Sequence, residues 1–215
     1  MPCRPSTETD TKAHVTETPE PAATLRAFIA LAPPDDAKDE LALALRPVYA
    51  THPRLRQNRI EDWHITLAFL GEQSLTTVQQ LRQPLAGLAA GHPSPELALR
   101  GGGHFDARVL WSGLEGDLDC LHLLSEAVRK QVRACGVDFP ERPLRPHLTL
   151  ARARRHDTTS VPEAAEALDT FIGRRWRPFR LHLVGSTPGN APAPRRYQDI
   201  ASWELGGGAG EPAGI

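Results

Sequence analysis

The sequence predicts an α+β fold of two related lobes, built from mainly antiparallel strands and meeting at a shared cleft. Three observations support this. Strand-like and helix-like segments mix without the regular alternation of a parallel sheet. The order strand, helix, strand, helix in the first half partly returns in the second. One short pattern, His-apolar-Thr-apolar, occurs at His64-Ile65-Thr66-Leu67 and again at His147-Leu148-Thr149-Leu150.

Residues 1–24 are rich in Pro, Thr and Glu and almost devoid of large apolar side chains, so a disordered tail is expected there. A single bilobal domain is expected over residues 25–205, with a Gly-rich flexible tail at 206–215. The first strand is placed at 25–31 and ends at Pro33-Pro34. Asp35 or Asp36 then caps a helix running to Tyr49, with Leu41, Leu45 and Val48 on one face. The first His/Thr strand ends at Gly71, Ser74 caps the next helix, and Pro84 is placed to kink that helix. Strands at 96–100 and 109–114 are joined through Gly101-Gly102-Gly103-His104-Phe105. A helix at 117–134 stops at Gly136, and the extended basic stretch 140–146 leads into the second His/Thr strand. A helix at 161–171, a strand at 179–185, a Pro/Gly loop at 188–194 and a last strand at 196–205 complete the reading.

Composition narrows the function. The 25 Lys and Arg against 26 Asp and Glu disfavour binding of nucleic acid through bulk charge, but permit a local basic groove. Three cysteines without metal-ligand spacing fit a reducing compartment, and the first 24 residues hold no apolar run of signal-peptide type. A cytoplasmic monomer with no membrane partner is expected.

On a strand, alternate side chains share a face, so each copy turns His and Thr to one side and sinks its apolar residues on the other. The triplet alone is weak: His14-Val15-Thr16 and His156-Asp157-Thr158 also occur, in polar segments. Requiring an apolar residue after both His and Thr leaves only the pair at 64 and 147, where chance allows roughly a tenth of an occurrence. Two facing histidines suit acid/base work near neutral pH, one taking a proton from water and the other giving one to a leaving oxygen. Neighbouring hydroxyls can steady the charge on a phosphate between them. No nucleophile elbow, P-loop, dinucleotide fingerprint or zinc-enzyme spacing is present, so no metal and no cofactor are expected.

The stretches His64-Ile65-Thr66-Leu67-Ala68-Phe69-Leu70-Gly71 and Arg145-Pro146-His147-Leu148-Thr149-Leu150-Ala151-Arg152 resemble the paired motifs of the 2H phosphoesterases, in particular the RNA 2′,3′-cyclic phosphodiesterases once called 2′-5′ RNA ligases. The likeness runs from about Arg26 to Trp203. It implies a bilobal LigT-like fold, with two mainly antiparallel sheets flanking a central groove and helices on the outside. It also implies a hydrolase that opens the cyclic phosphate at an RNA 3′ end to a 2′-phosphate, with a reversible 2′-5′ RNA ligase activity beside it. By the same likeness His64 matches the proton donor, His147 the proton acceptor, and Thr66 and Thr149 the phosphate-binding hydroxyls. Arg152 stands where the family often has a basic residue near the phosphate, although strict alternation puts it on the face opposite His147. The implied partners are RNA ends with a cyclic phosphate or small nucleotide cyclic phosphates. Alternatives are the same chemistry on a 2′-5′ oligonucleotide or an ADP-ribose cyclic phosphate, or a non-catalytic module that binds RNA ends. Trp63, Phe69, Phe105 and Trp111 are candidate base-stacking surfaces, and Arg54, Arg56 and Arg59 candidate phosphate contacts.

Overall fold

A computed structural model describes residues 24–140, 142–186 and 197–206. The expected tails at 1–24 and 206–215 lie outside these except for Thr24, which opens the first strand, and Gly206, which bridges to Pro93, and the loop at 188–194 lies outside as well. Nine strands form two antiparallel sheets among the described residues, as the α+β reading anticipates. The first sheet has the order β3-β1-β8-β9, from β1 (Thr24–Leu31), β3 (Ile65–Ser74), β8 (Arg180–Ser186) and β9 (Tyr197–Glu204). The second has the order β2-β6-β5-β4-β7, from β2 (Arg56–Gln57), β4 (Leu97–Phe105), β5 (Val109–Gly116), β6 (His147–Arg152) and β7 (Ile172–Trp176). The lobes are therefore not successive halves of the chain, because β8 and β9 return to complete the sheet that β1 and β3 begin.

Helices cover the sheets from across the molecule. The first sheet is backed by α3 (Arg82–Gly91) against β9 and α4 (Leu118–Ala134) against β3. The second is backed by α5 (Ser160–Ala167) against β4 and β5, and by α1 (Asp35–Thr51) against β7. One apolar core runs through both, with Ile29, Leu31, Leu67, Leu99, Leu110, Leu148 and Leu150 almost fully buried. A smaller cluster of Phe28, Ala30 and Val184 lies on the opposite face of β1 and β8, where Tyr197 of β9 packs on it.

The structure departs from the sequence reading in several places: β3 runs past Gly71 to Ser74, and α5 stops at Ala167, short of Phe171. Pro34 is the N-cap residue of α1, and Asp35 and Asp36 occupy its first turn, where their charge complements the helix dipole. The segment after Ser74 is α2 (Leu75–Gln80) followed by α3 with a break at Leu81, so Pro84 sits in the first turn of a new helix, where proline is tolerated. Ser74 does cap α2, its Oγ accepting from Thr77 N at 3.0 Å. Strand β7 was not anticipated: it is an edge strand whose Arg174 and Arg175 pair with Asp36 and Glu96 at 3.0 Å, so its charges belong to its edge position. Finally, the glycine run does not turn. Strand β4 continues through it to Phe105, and the hairpin bends at Asp106-Ala107, both with positive φ. The glycines serve close packing: a Cβ on Gly102 would lie 2.4 Å from Ala165 O of α5, and one on Gly103 would lie 2.1 Å from the Trp111 indole.

Gly103→Ala is accordingly expected to push Trp111 aside and to cost roughly 1–3 kcal/mol of stability in a denaturant titration, with no such cost for Gly87→Ala, whose Cβ meets nothing within 4 Å.

Candidate active site

The sites of both His/Thr strands are shaped by a one-residue bulge. In β3, Ile29 pairs with Ala68 and Ala30 with Thr66, so Leu67 is the extra residue. In β6, Leu110 pairs with Ala151 and Trp111 with Thr149, so Leu150 is the extra residue. Each bulge buries two successive residues, Leu67-Ala68 and Leu150-Ala151, and returns the next side chain to the face of His and Thr. That side chain is Phe69 in one strand and Arg152 in the other. Strict alternation put Arg152 on the wrong face; the bulge turns it to the side of His147 and Thr149.

Side-chain and backbone donors from neighbouring segments hold the bulged carbonyls. Ser125 of α4, itself buried, donates from Oγ to Leu67 O at 3.0 Å. Asn58 donates from its backbone N to Leu150 O at 2.7 Å and from Nδ2 to Thr149 O at 3.0 Å, and the Tyr49 phenol reaches Leu150 O at 3.4 Å. Burial raises the pKa of that phenol far above its ordinary value, keeping it a neutral donor.

His64, Thr66, His147, Thr149 and Arg152 line one cleft of about 760 Å³, together with Arg26, Phe28, Asp62, Phe69, Glu72, Arg142, Ser186 and Tyr197. The histidines are locked alike. His64 Nδ1 lies 2.7 Å from Asp62 O, and His147 Nδ1 lies 2.6 Å from Arg145 O. A carbonyl only accepts, so each Nδ1 carries a hydrogen and each Nε2 is left as the titrating nitrogen. Aromatic rings brace both. His64 stacks on Phe28 with centroids 4.6 Å apart and meets the Tyr197 edge at 5.3 Å. His147 meets Phe105 at 4.9 Å and Trp111 at 6.4 Å. The hydroxyls of Thr66 and Thr149 make no hydrogen bond to another described residue.

Burial pushes the His64 pKa below the ordinary imidazole value; the Asp62 carbonyl pulls it back, and the charge of His147 adds to the depression. Burial likewise lowers His147, opposed by the Arg145 carbonyl and assisted by Arg152. His64 thus senses a cation across the cleft and His147 one on its own strand, and an anion bound between the imidazoles would raise both.

The other candidates fall elsewhere. Trp63 is 2% exposed and belongs to the core, Phe105 and Trp111 are half-buried and pack against His147, and Phe69 is half exposed. Arg56 is the strand partner of Arg152, whereas Arg59 pairs with Glu61 at 3.4 Å. Phe28, Tyr197, Arg26, Glu72 and Arg142 line the cleft without having been singled out, since strand pairing over long sequence distances brings most of them in. Among the described residues no group of three or more His, Cys, Asp or Glu is placed to hold a metal ion, and no helix is long and apolar enough to cross a membrane.

A cleft with two imidazoles, each tautomer-locked on its own strand and followed by an unengaged threonine, is the arrangement of a two-histidine phosphoesterase. The chain belongs to the 2′-5′ RNA ligase superfamily, which matches residues 33–190. It is 31% identical over 148 residues to an RNA 2′,3′-cyclic phosphodiesterase of Geobacillus stearothermophilus, covering 66% of this chain and 46% of that protein. A Thermotoga maritima relative of the same name is 33% identical over 98 residues, covering 44% of this chain and 51% of that protein. The chain thus spans about half the length of these curated relatives. Among solved structures, Escherichia coli LigT complexed with NADP+ superposes with a TM-score of 0.64 at 25% identity, over 84% of this chain and 97% of that one. The Thermus thermophilus protein TT0787 gives 0.66 at 24%, over 85% and 99%. The family resemblance and the LigT-like fold drawn from the sequence are borne out.

Removing the side-chain clamp in Asn58→Ala leaves the Thr149 carbonyl short of its donor while the backbone bond to Leu150 O stays. The change is expected to cost about 1–2 kcal/mol of stability by thermal or denaturant melting, and Asn58→Asp, which has no amide to donate, should not restore it.

Proposed function

We propose that the chain hydrolyses the 2′,3′-cyclic phosphodiester at an RNA 3′ end to a 2′-phosphomonoester, without a metal. The names of its relatives support the reaction, and the matched tautomer locks on His64 and His147 carry the mechanism. With Nδ1 fixed as a donor, Nε2 of His147 takes a proton from water as its oxygen attacks phosphorus. Nε2 of protonated His64 gives a proton to the 3′ oxygen as the P–O3′ bond breaks. Thr66 and Thr149 donate to the non-bridging oxygens, and Arg152 offsets the charge that grows on them. The 2′ oxygen keeps the phosphate. Turnover leaves the protonation of the pair inverted, to be reset by proton exchange with solvent; with a 5′-hydroxyl in place of water, the same starting pair would form a 2′-5′ linkage as the P–O3′ bond breaks, which accounts for the family's ligase name.

Each role sets an expected result. His64→Ala or His147→Ala should lower kcat on a cyclic-phosphate oligonucleotide by about 10²–10⁴-fold, with EDTA leaving the wild type unaffected. Full turnover in either variant would refute the proposal, as would a 3′-phosphate product. The pH profile follows from the two depressed values. The acid loses its proton as pH rises through its lowered pKa, and the base loses function as pH falls through its own. The kcat/KM optimum should therefore lie on the acid side of pH ~6.5, the ordinary imidazole value. The kcat optimum should lie higher, because the bound phosphate raises both. Arg152→Gln removes the cation that depresses His147 and should move the acid limb of kcat/KM upward.

A further inference from the structure

The proposed acid, His64, is the more enclosed of the two imidazoles, and burial penalises a charged ring, so enclosure alone would leave the proton on His147. We infer that Phe28 is the positioning residue that keeps His64 the protonated member of the pair, by laying its π face against the imidazolium. The inference rests on the cyclic phosphodiesterase reading and assigns what sets the direction of proton transfer within it.

The rings of Phe28 and His64 are nearly parallel, tilted by 26° with centroids 4.6 Å apart. An aromatic face carries the negative lobe of its quadrupole, so it attracts a cation within about 6 Å of its centroid and a neutral ring much less. The stack therefore favours the charged form of His64. Phe28 is 4% exposed and forms, with Ala30 and Val184, an apolar cluster apart from the main core. Tyr197 stands 5.3 Å from both stacked rings and almost perpendicular to each, which closes one side of the stack against slip.

The surroundings of His147 act in the opposite sense. Among the described residues no ring lies parallel to it: Phe105 meets it at 89° and Trp111 at 63°, and Phe105 also holds the Arg145 guanidinium 6.0 Å from its centroid. Arg152 adds a positive charge that disfavours a second one on His147. Around His64 most charges come in opposed pairs: Arg26 with Glu72 and Arg59 with Glu61, each at 3.4 Å, His182 with Asp199 at 3.1 Å and Lys38 with Asp35 at 3.6 Å. Asp62 precedes it in the same segment, and of the cleft cations Arg142 and His147 it is His147 that depresses it. Between its two titration steps the pair holds one proton, and the stack decides which imidazole has it. On His64 that proton can leave with the 3′ oxygen; on His147 it would deprive the water of its base.

The test follows both imidazoles by NMR of the nitrogen-labelled protein, in which the Nε2 shifts report where the proton sits. As pH is lowered, the first proton bound by the wild-type pair is expected on His64. Phe28→Leu should lower the His64 value by about 0.5–1.5 pH units, and the base-side limb of kcat/KM on a cyclic-phosphate oligonucleotide should move down with it. A smaller side chain also admits water, which by itself would raise that value, so the sign of the change separates the two effects. Replacing Phe28 with cyclohexylalanine keeps the bulk of the ring, removes its π face and should lower the value as well, whereas Phe28→Tyr should keep it at the wild-type level. A first proton on His147, or a His64 value unchanged or raised in the two variants that lack the π face, overturns the inference. Absence of hydrolysis by the wild type would refute the phosphodiesterase reading by itself, since the titration needs no turnover.

Discussion

Everything at the cleft depends on backbone carbonyls displaced by one residue. A bulge is costly unless its freed polar groups find partners, and here those partners come from neighbouring segments: Ser125 from α4 for Leu67, and Asn58 and Tyr49 for Leu150. The helix that backs the first sheet and the segment that leads to the first His/Thr strand are thereby tied to the strands they position. Without the extra residue Phe69 and Arg152 would point into the core, and the cleft would hold imidazoles and hydroxyls with nothing to distinguish its two walls.

The two histidines are held by one local rule in different surroundings. Both use the carbonyl two residues upstream to fix the tautomer, and both are lowered in pKa chiefly by burial. Their differences come from what packs around them: a stacked phenyl and a tyrosine edge at His64, a phenylalanine edge, an indole and a nearby guanidinium at His147. In the proposed mechanism acid and base would be separated by surroundings rather than by residue type, as expected for groups whose unperturbed pKa already lies near working pH.

The sequence made the repeated strands legible because a two-residue period is read directly from side-chain identity, and repetition removes most chance matches. The bulges were not legible, since they arise from pairing with β1 and β5 and leave the periodic pattern intact up to the residue that matters. Gly101-Gly102-Gly103 reads as a turn because glycine usually punctuates strands; its role in admitting α5 and the Trp111 ring depends on partners far along the chain. Ile172–Trp176 is poor in strand formers and rich in arginine, and only its place at a sheet edge makes it a strand. Phe105 and Trp111 read as base-stacking candidates from their chemistry, and only the pairing of β4, β5 and β6 reveals that they also pack against His147.

The strand order has a consequence for biosynthesis. The surroundings of His147 come from β5, β6 and the end of β4, close together in sequence, so that half can be assembled while the ribosome is still working. The inner edge of β1 waits for β8, and the tyrosine that braces His64 belongs to β9, the last strand among the described residues. The histidine translated first is therefore completed last, and a nascent chain carries one finished wall of its cleft long before it has two.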